Sequence, residues 1–325
     1  LITVGWKMIP YIVAQPGKKE NSRFSPKWMI FLKIAGCGRS RPAGEGRTAC
    51  VAPSRRLQFR RRIRYDKGNM GKEAVGMTAG LVSVSFRGLS PSEVIRAARE
   101  AALTGIEWGA DVHVPAGDVS AAKRVGGETR AAGLRVLAYG SYYKPGVSPA
   151  EEFDGVLASA AALRAPVIRV WAGNKGSASA TAEAWRRTAE DAARIGRMAA
   201  REGCRVAFEC HRNTLTDDYR AALRLMEAVR EAGVGMYWQP DPSRDLAYNL
   251  EAARSLAPYT ENIHVFYWEG PNRYPLKKGV PVWREYLAVF RERGWDGGCL
   301  LEFMPDDRPE SLPAEAAVLR RLMKE

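Results

Sequence analysis

The segment Gly203-Cys204-Arg205-Val206-Ala207-Phe208-Glu209-Cys210-His211 reads as a helix end, a buried strand and a polar rim. Gly203 closes the amphipathic run before it, because glycine takes the left-handed C-cap backbone at no steric cost. Arg205–Cys210 is then a short apolar run of the kind expected for a parallel strand covered by helices. Glu209 sits at its end beside Ala207-Phe208, where a buried carboxylate is costly unless it is paired or bound to a cation. His211 follows directly.

The same unit recurs along the chain. Further short β-rich runs are Leu81–Phe86, Gly105–Trp108, Leu134–Tyr139, Val167–Trp171, Val234–Trp238, Asn262–Phe266 and Cys299–Phe303. Helical periodicity covers roughly 91–103, 118–131, 149–163, 179–202, 217–231, 244–256, 281–293 and 312–324. Ser90-Pro91-Ser92-Glu93 opens the first of these with an N-cap, a proline at the first helical position and a glutamate two residues on. Gly133, Gly203, Gly233 and Gly294 each stand just before a strand, as C-caps should. Eight strand–helix units between residues 70 and 325 match the usual size of a (β/α)8 TIM barrel, about 250 residues. The fold expectation is therefore α/β, a single-domain (β/α)8 TIM barrel over 77–325. A doubly wound sheet is the alternative, but no glycine-rich phosphate fingerprint follows any strand.

Charge separates this body from what precedes it. The chain of 325 residues carries a net charge of +14. Residues 1–69 hold 16 of the 50 basic residues but only Glu20, Glu45 and Asp66 of the 36 acidic ones, a net of +13. The remainder, 34 basic against 33 acidic, is nearly neutral, so the basic character says little about what the barrel binds. Residues 1–69 read as a basic irregular extension, either disordered or upstream of the true start at Met70 or Met77. A basic arm for nucleic acid or acidic lipid is a second reading. A third is an export signal around Trp28–Cys37, whose apolar stretch is short, interrupted by Lys33 and far from the N-terminus. Five cysteines without metal-type spacing point to a reducing cytosol and a cytoplasmic protein. No apolar run reaches membrane-span length.

In a TIM barrel the chemistry lies at the C-terminal strand ends. His113 stands five residues past the second strand, His211 just past the fifth and His264 within the seventh, and the chain has three histidines in all. Glu107, Glu209 and Glu302 occupy or end the second, fifth and eighth strands. A structural salt bridge to Arg169, in the fourth strand, would explain one of them but not all three. The sixth strand ends Tyr237-Trp238-Gln239-Pro240-Asp241. An imidazole with carboxylates and open positions suits Mn²⁺, Mg²⁺, Co²⁺ or Zn²⁺. Such a cation would stabilise an enediolate while two glutamates move protons at carbon. Tyr142, Tyr143, Trp171, Trp238, Tyr267 and Trp268 are expected on the rim.

With Gly105-Ile-Glu-Trp, Phe208-Glu-Cys-His-Arg-Asn-Thr-Leu-Thr, Asn262-Ile-His-Val-Phe and Leu301-Glu-Phe in this order, the chain resembles the sugar phosphate isomerase/epimerase family of xylose-isomerase-like TIM barrels. The resemblance spans about residues 77–325. It implies metal ligands at Glu209, Gln239, His264 and Glu302. Gln239 departs from the family's aspartate, and Pro242 stands where a histidine usually follows; Asp241 is the substitute ligand. It also implies Glu209 and Glu302 as the acid/base pair, with Glu107, His113, His211, Arg169 and Arg273 near substrate; Trp238, one of the rim aromatics, is a further substrate-binding candidate. The activity implied is isomerisation or epimerisation of a sugar, sugar phosphate or related compound. A carbohydrate is the expected partner, with no nucleic acid and no membrane, and a homo-oligomer left open. A barrel that binds sugar without chemistry is the alternative. An endonuclease on this fold would need a histidine-rich trinuclear zinc cluster, for which three histidines do not suffice.

Overall fold

Strands buried on both faces must pair edge to edge until no edge is left. In the computed structural model, which describes residues 76–325, the chain does this. The strands are β1 (Thr78–Val82), β2 (Gly105–Gly109), β3 (Arg135–Gly140), β4 (Val167–Val170), β5 (Arg205–Glu209), β6 (Gly235–Trp238), β7 (Thr260–Val265), β8 (Tyr267–Glu269), β9 (Asn272–Tyr274) and β10 (Gly298–Leu301). Eight of them close a barrel in the order β1-β10-β7-β6-β5-β4-β3-β2. Every barrel pairing is parallel.

Helices return the chain between strands: α1 (Pro91–Glu100), α2 (Val119–Ala131), α3 (Glu152–Leu163), α4 (Ala182–Arg201), α5 (Tyr219–Ala228), α6 (Leu246–Leu256), α7 (Val280–Arg291) and α8 (Leu312–Leu322). Ser90 and Glu93 form a reciprocal capping box on α1. Gly133, Gly203, Gly233 and Gly294 all take positive φ, between 62° and 77°, as helix-ending glycines do. The (β/α)8 TIM barrel expected from the sequence is the fold. Among the described residues no helix is long and apolar enough to cross a membrane.

Two differences from the sequence reading have physical causes. The first strand was expected at Leu81–Phe86, yet β1 ends at Val82 and Ser83–Phe86 form a 3₁₀ turn. The apolar alternation there looks like a strand, but the two serines serve the loops. Ser83 Oγ accepts from Gly109 N at 2.9 Å, and Ser85 Oγ accepts from Phe303 N at 2.8 Å. The hairpin β8–β9, turning through Gly270 at φ 56°, was not anticipated. Its strands are three residues each, too short to show a period.

The core has two parts. A large cluster fills the layer between strands and helices, and a small one fills the barrel itself: Val82, Val84, Leu137, Ala138, Val167, Ala207, Tyr237 and Leu300. Gly80 makes room for these side chains, since a Cβ there would come within 2.6 Å of both Leu137 and Leu300. Leu300 is fully buried, and Leu300→Ala leaves a void that rigid strands cannot collapse. Urea unfolding is expected to show a loss of about 2–5 kcal/mol; a loss below about 1 kcal/mol would mean the barrel interior is loosely packed.

Candidate active site at the barrel mouth

Successive strand residues point to opposite faces, so each strand sends alternate side chains inward. The deeper inward positions are apolar: Val167, Ala207, Tyr237 and Leu300. Two residues further along the same strands come Arg169, Glu209, Gln239 and Glu302, and β7 and β2 contribute His264 and Glu107. Register shifts fall between Ile106 and Glu107 and between Met236 and Tyr237, beside two of these inward positions. Such bulges re-aim side chains and are common next to active sites.

Arg169 is the floor of the site. It is 3% exposed, and its Nε donates to Glu107 Oε1 at 2.7 Å while its Nη1 donates to Glu209 Oε2. The indole N–H of Trp171 reaches the same Glu209 oxygen at 2.5 Å. His264, fully buried, sits above this pair. Its Nδ1 lies 3.0 Å from Gln239 Oε1, 3.3 Å from Glu302 Oε2 and 3.5 Å from Glu209 Oε1. Its Nε2 lies 3.6 Å from Glu107 Oε2. The ligating atoms of Glu209, His264 and Glu302 all fall within 4.8 Å of one another.

The electrostatics follow from this crowding. Burial by itself would raise Glu107 and Glu209, but the Arg169 guanidinium and then His264 outweigh it and hold both below the usual carboxylate range. Burial would lower His264, yet Glu302, Glu107 and Glu209 together drive it well above its ordinary value. Three oxygens around one imidazole nitrogen want a positive charge among them, whether a proton or a metal ion. Two carboxylates, an imidazole and an amide oxygen are a donor set that fits a divalent cation of the harder or borderline kind.

Gln239 and Asp241 point to different places. Gln239 turns to the barrel axis, bonded to His264 and donating from Nε2 to Cys210 O at 2.7 Å. Asp241 caps its own loop, accepting from Ser243 N and Oγ, and lines an outer cleft of about 320 Å³ with Arg244, Phe266, Trp268 and Trp283. The four converging residues do not line that cleft. Asp241 thus stands apart from the cluster around His264.

Two expected substrate residues face away. Trp238 alternates with the inward Tyr237 and Gln239, so it points outward and packs on Trp283, Tyr286 and Phe290 of α7. Strand parity alone forbids Gln239 and Trp238 from sharing the mouth. His113 lies edge-on to Trp108, another outward residue, with Nε2 against Leu89 O at 3.1 Å. That contact links the β2–α2 loop to the turn before α1. Tyr143, expected on the rim, is also buried outside the barrel and donates to Asp191. Glu107 is wholly enclosed, so it meets Arg169 and His264 rather than solvent.

Other expectations do gather at the mouth. His211 stacks on Trp171 at 4.7 Å between ring centres, with Tyr142 edge-on to the same indole and Lys144 Nζ 5.2 Å from its ring centre. Arg273 lies over Trp268 and Phe303 and is paired with Asp307 at 2.5 Å. The sequence reading missed Tyr237, whose ring meets His264 edge-on at 5.1 Å and whose hydroxyl accepts from Asn262. It also missed Phe303, which holds a left-handed φ of 52° immediately after Glu302. The parity of Gln239 could have found the tyrosine; no local signal marks the phenylalanine.

Residues 95–322 match the family model described as xylose isomerase-like TIM barrel. No curated protein matches the chain. Among solved structures, the probable 3-DHS dehydratase AsbF of Bacillus anthracis superposes with a TM-score of 0.65 at 20% identity, covering 75% of this chain and 99% of that one. D-psicose 3-epimerase, solved in the presence of D-fructose, gives 0.61 at 14% identity, covering 77% and 100%. A xylose isomerase-like TIM barrel protein from Mycobacterium smegmatis, in complex with magnesium, gives 0.55 at 14% identity, covering 77% and 97%. At these identities the superpositions speak for the fold.

The displaced titrations set a stability profile for the metal-free protein. Glu107 and Glu209 lie below their usual 4.5, so the stability they add is present above that value and lost as pH falls through their folded values. His264 lies above its usual 6.5, so its contribution is complete below that value and lost as pH rises through the folded one. Melting temperature in EDTA is expected to peak between these limits and decline on both sides. A maximum above about pH 8 would contradict the assigned environment of His264.

Proposed function

The chain belongs to the xylose isomerase-like TIM barrel family, and from that premise we propose that it is a divalent-cation-dependent isomerase or epimerase. Its substrate on this reading is a sugar, sugar phosphate or related hydroxy-carbonyl compound. One observation carries the reading: Glu209, His264 and Glu302 bring ligating atoms within 4.8 Å of one another at the mouth, with Gln239 Oε1 against the same imidazole. Support also comes from the fold shared with an epimerase solved in the presence of D-fructose and with a barrel holding magnesium.

When bound, a cation such as Mn²⁺, Mg²⁺, Co²⁺ or Zn²⁺ supplies positive charge for an enediolate. The rest is the work of the chain's own groups. Glu209 and Glu302 stand on β5 and at the end of β10, and in this reading they exchange a proton with opposite faces of one substrate carbon. They are not equivalent. Both face the His264 imidazole, but Glu209 Oε2 is in addition fixed by Arg169 and Trp171, which favours its carboxylate form. Trp171 with His211, and Phe303 opposite, offer flat faces to a carbon chain. Arg273 already has Asp307 as its partner, so a phosphate would have to compete for it.

Gln239 favours a second reading, a barrel that binds sugar without turning it over. A neutral amide contributes an oxygen but no charge, which weakens cation binding relative to a carboxylate. The probable dehydratase of the same fold shows that related chemistry is not limited to isomerisation.

The test is uptake of deuterium from D₂O into a panel of ketoses with added Mn²⁺ or Mg²⁺, followed by NMR. Exchange at carbon is expected, and Glu209→Gln or Glu302→Gln should slow it by roughly 10²–10⁴-fold. Absence of exchange across the panel, with sugars still binding, would favour the non-catalytic reading. Gln239→Glu keeps the reach of the side chain and adds a charge. Calorimetry should find its divalent cation affinity tighter by roughly tenfold, about 1.4 kcal/mol; unchanged affinity would place the cation elsewhere.

A further inference from the structure

Each carboxylate held by Arg169 gives one oxygen to the guanidinium and turns the other toward His264. Glu107 binds Arg169 Nε through Oε1 and holds Oε2 3.6 Å from His264 Nε2. Glu209 binds Arg169 Nη1 through Oε2 and holds Oε1 3.5 Å from His264 Nδ1. The two nitrogens of one ring therefore meet different surroundings. Nδ1 faces Glu209, Gln239 and Glu302, the candidate cation set. Nε2 faces Glu107. Both Glu107 Oε2 and His264 Nε2 are buried, and at 3.6 Å from each other neither has a hydrogen-bond partner.

We propose that Glu107, locked by Arg169, is a positioning residue that accepts the Nε2 proton of His264 and so dedicates Nδ1 to the cation. The inference rests on the cation site proposed above. An imidazole that ligates through one nitrogen keeps its proton on the other, and a carboxylate receiving that proton fixes the ring and raises its basicity. Glu107 is enclosed on every side, so it cannot meet a substrate hydroxyl; its free oxygen faces the imidazole, with the Tyr237 hydroxyl as a second neighbour.

The backbone is shaped around this pair. A Cβ at Gly140, the last residue of β3, would lie 2.6 Å from Arg169 Nη2 and 2.8 Å from Glu107 Oε1. Its φ is not in the left-handed region, so conformational freedom does not explain the glycine; space for the ion pair does. Gly140→Ala therefore displaces the pair without removing a charge or a ligand.

The experiment uses the full chain labelled with ¹⁵N-histidine, whose three histidines give a countable spectrum. His264 is assigned by loss of its signals in His264→Asn, and Zn²⁺ serves as the diamagnetic probe. Zinc is expected to move Nδ1 of His264 to a ligated shift while Nε2 keeps its hydrogen. Glu107→Gln and Gly140→Ala should each weaken zinc at His264 by roughly 10–100-fold, with the His113 and His211 signals in place as the check on folding. If Glu107→Gln does not fold, the wild-type tautomer and Gly140→Ala still decide. Zinc ligated through Nε2, or full affinity in both variants, overturns the positioning role and leaves the cation site standing. Zinc that never perturbs His264 overturns both.

Discussion

A guanidinium buried inside the barrel is the constraint from which the rest of the mouth follows. Arg169 lies among three carboxylates with almost no access to water, so each charge there is tolerable only because the others are present. Its fork determines which oxygen of Glu107 and which oxygen of Glu209 stay free. Those oxygens in turn fix where His264 stands and which way its ring faces. A simple ion pair would have explained Arg169 with one glutamate; the structure makes it the shared partner of two.

The barrel supplies this arrangement through parity. Val167 and Arg169, Ala207 and Glu209, Tyr237 and Gln239, and Leu300 and Glu302 are inward pairs two residues apart. The apolar member packs the interior and the polar member reaches the mouth. The same rule sends Trp108 and Trp238 outward, where they anchor strands to helices. A large aromatic beside a functional residue is therefore a packing element here, however suggestive its sequence neighbourhood.

Gln239 is the chain's own departure within a familiar frame. It turns toward the barrel axis, and its amide offers an oxygen beside His264, as the proposed cation site requires. Its nitrogen is engaged by Cys210 O, which orients the amide and ties β6 to the end of β5. On the proposed reading, an amide where the resemblance implies a carboxylate leaves one negative charge fewer in a site that already contains the Arg169 guanidinium. Glu107 and Glu209 each give one oxygen to Arg169, so on the proposed reading Glu302 and the remaining oxygen of Glu209 would offset a metal's charge.

Sequence alone determined the eight strand–helix units, the helix-ending glycines, the capping box at Ser90 and the gathering of glutamates at strand ends, because period, cap chemistry and burial cost are local properties. Local reading failed where a side chain's partner lies far along the chain. Ser83 and Ser85 break β1 for loops at Gly109 and Phe303, and Gly140 is small because Glu107 and Arg169 meet over it. Whether Gln239 or Asp241 faces the axis, and that His113 ties loops while His264 enters the cluster, depended on strand register and barrel closure. Those are settled by packing between distant segments, which no short stretch of sequence encodes.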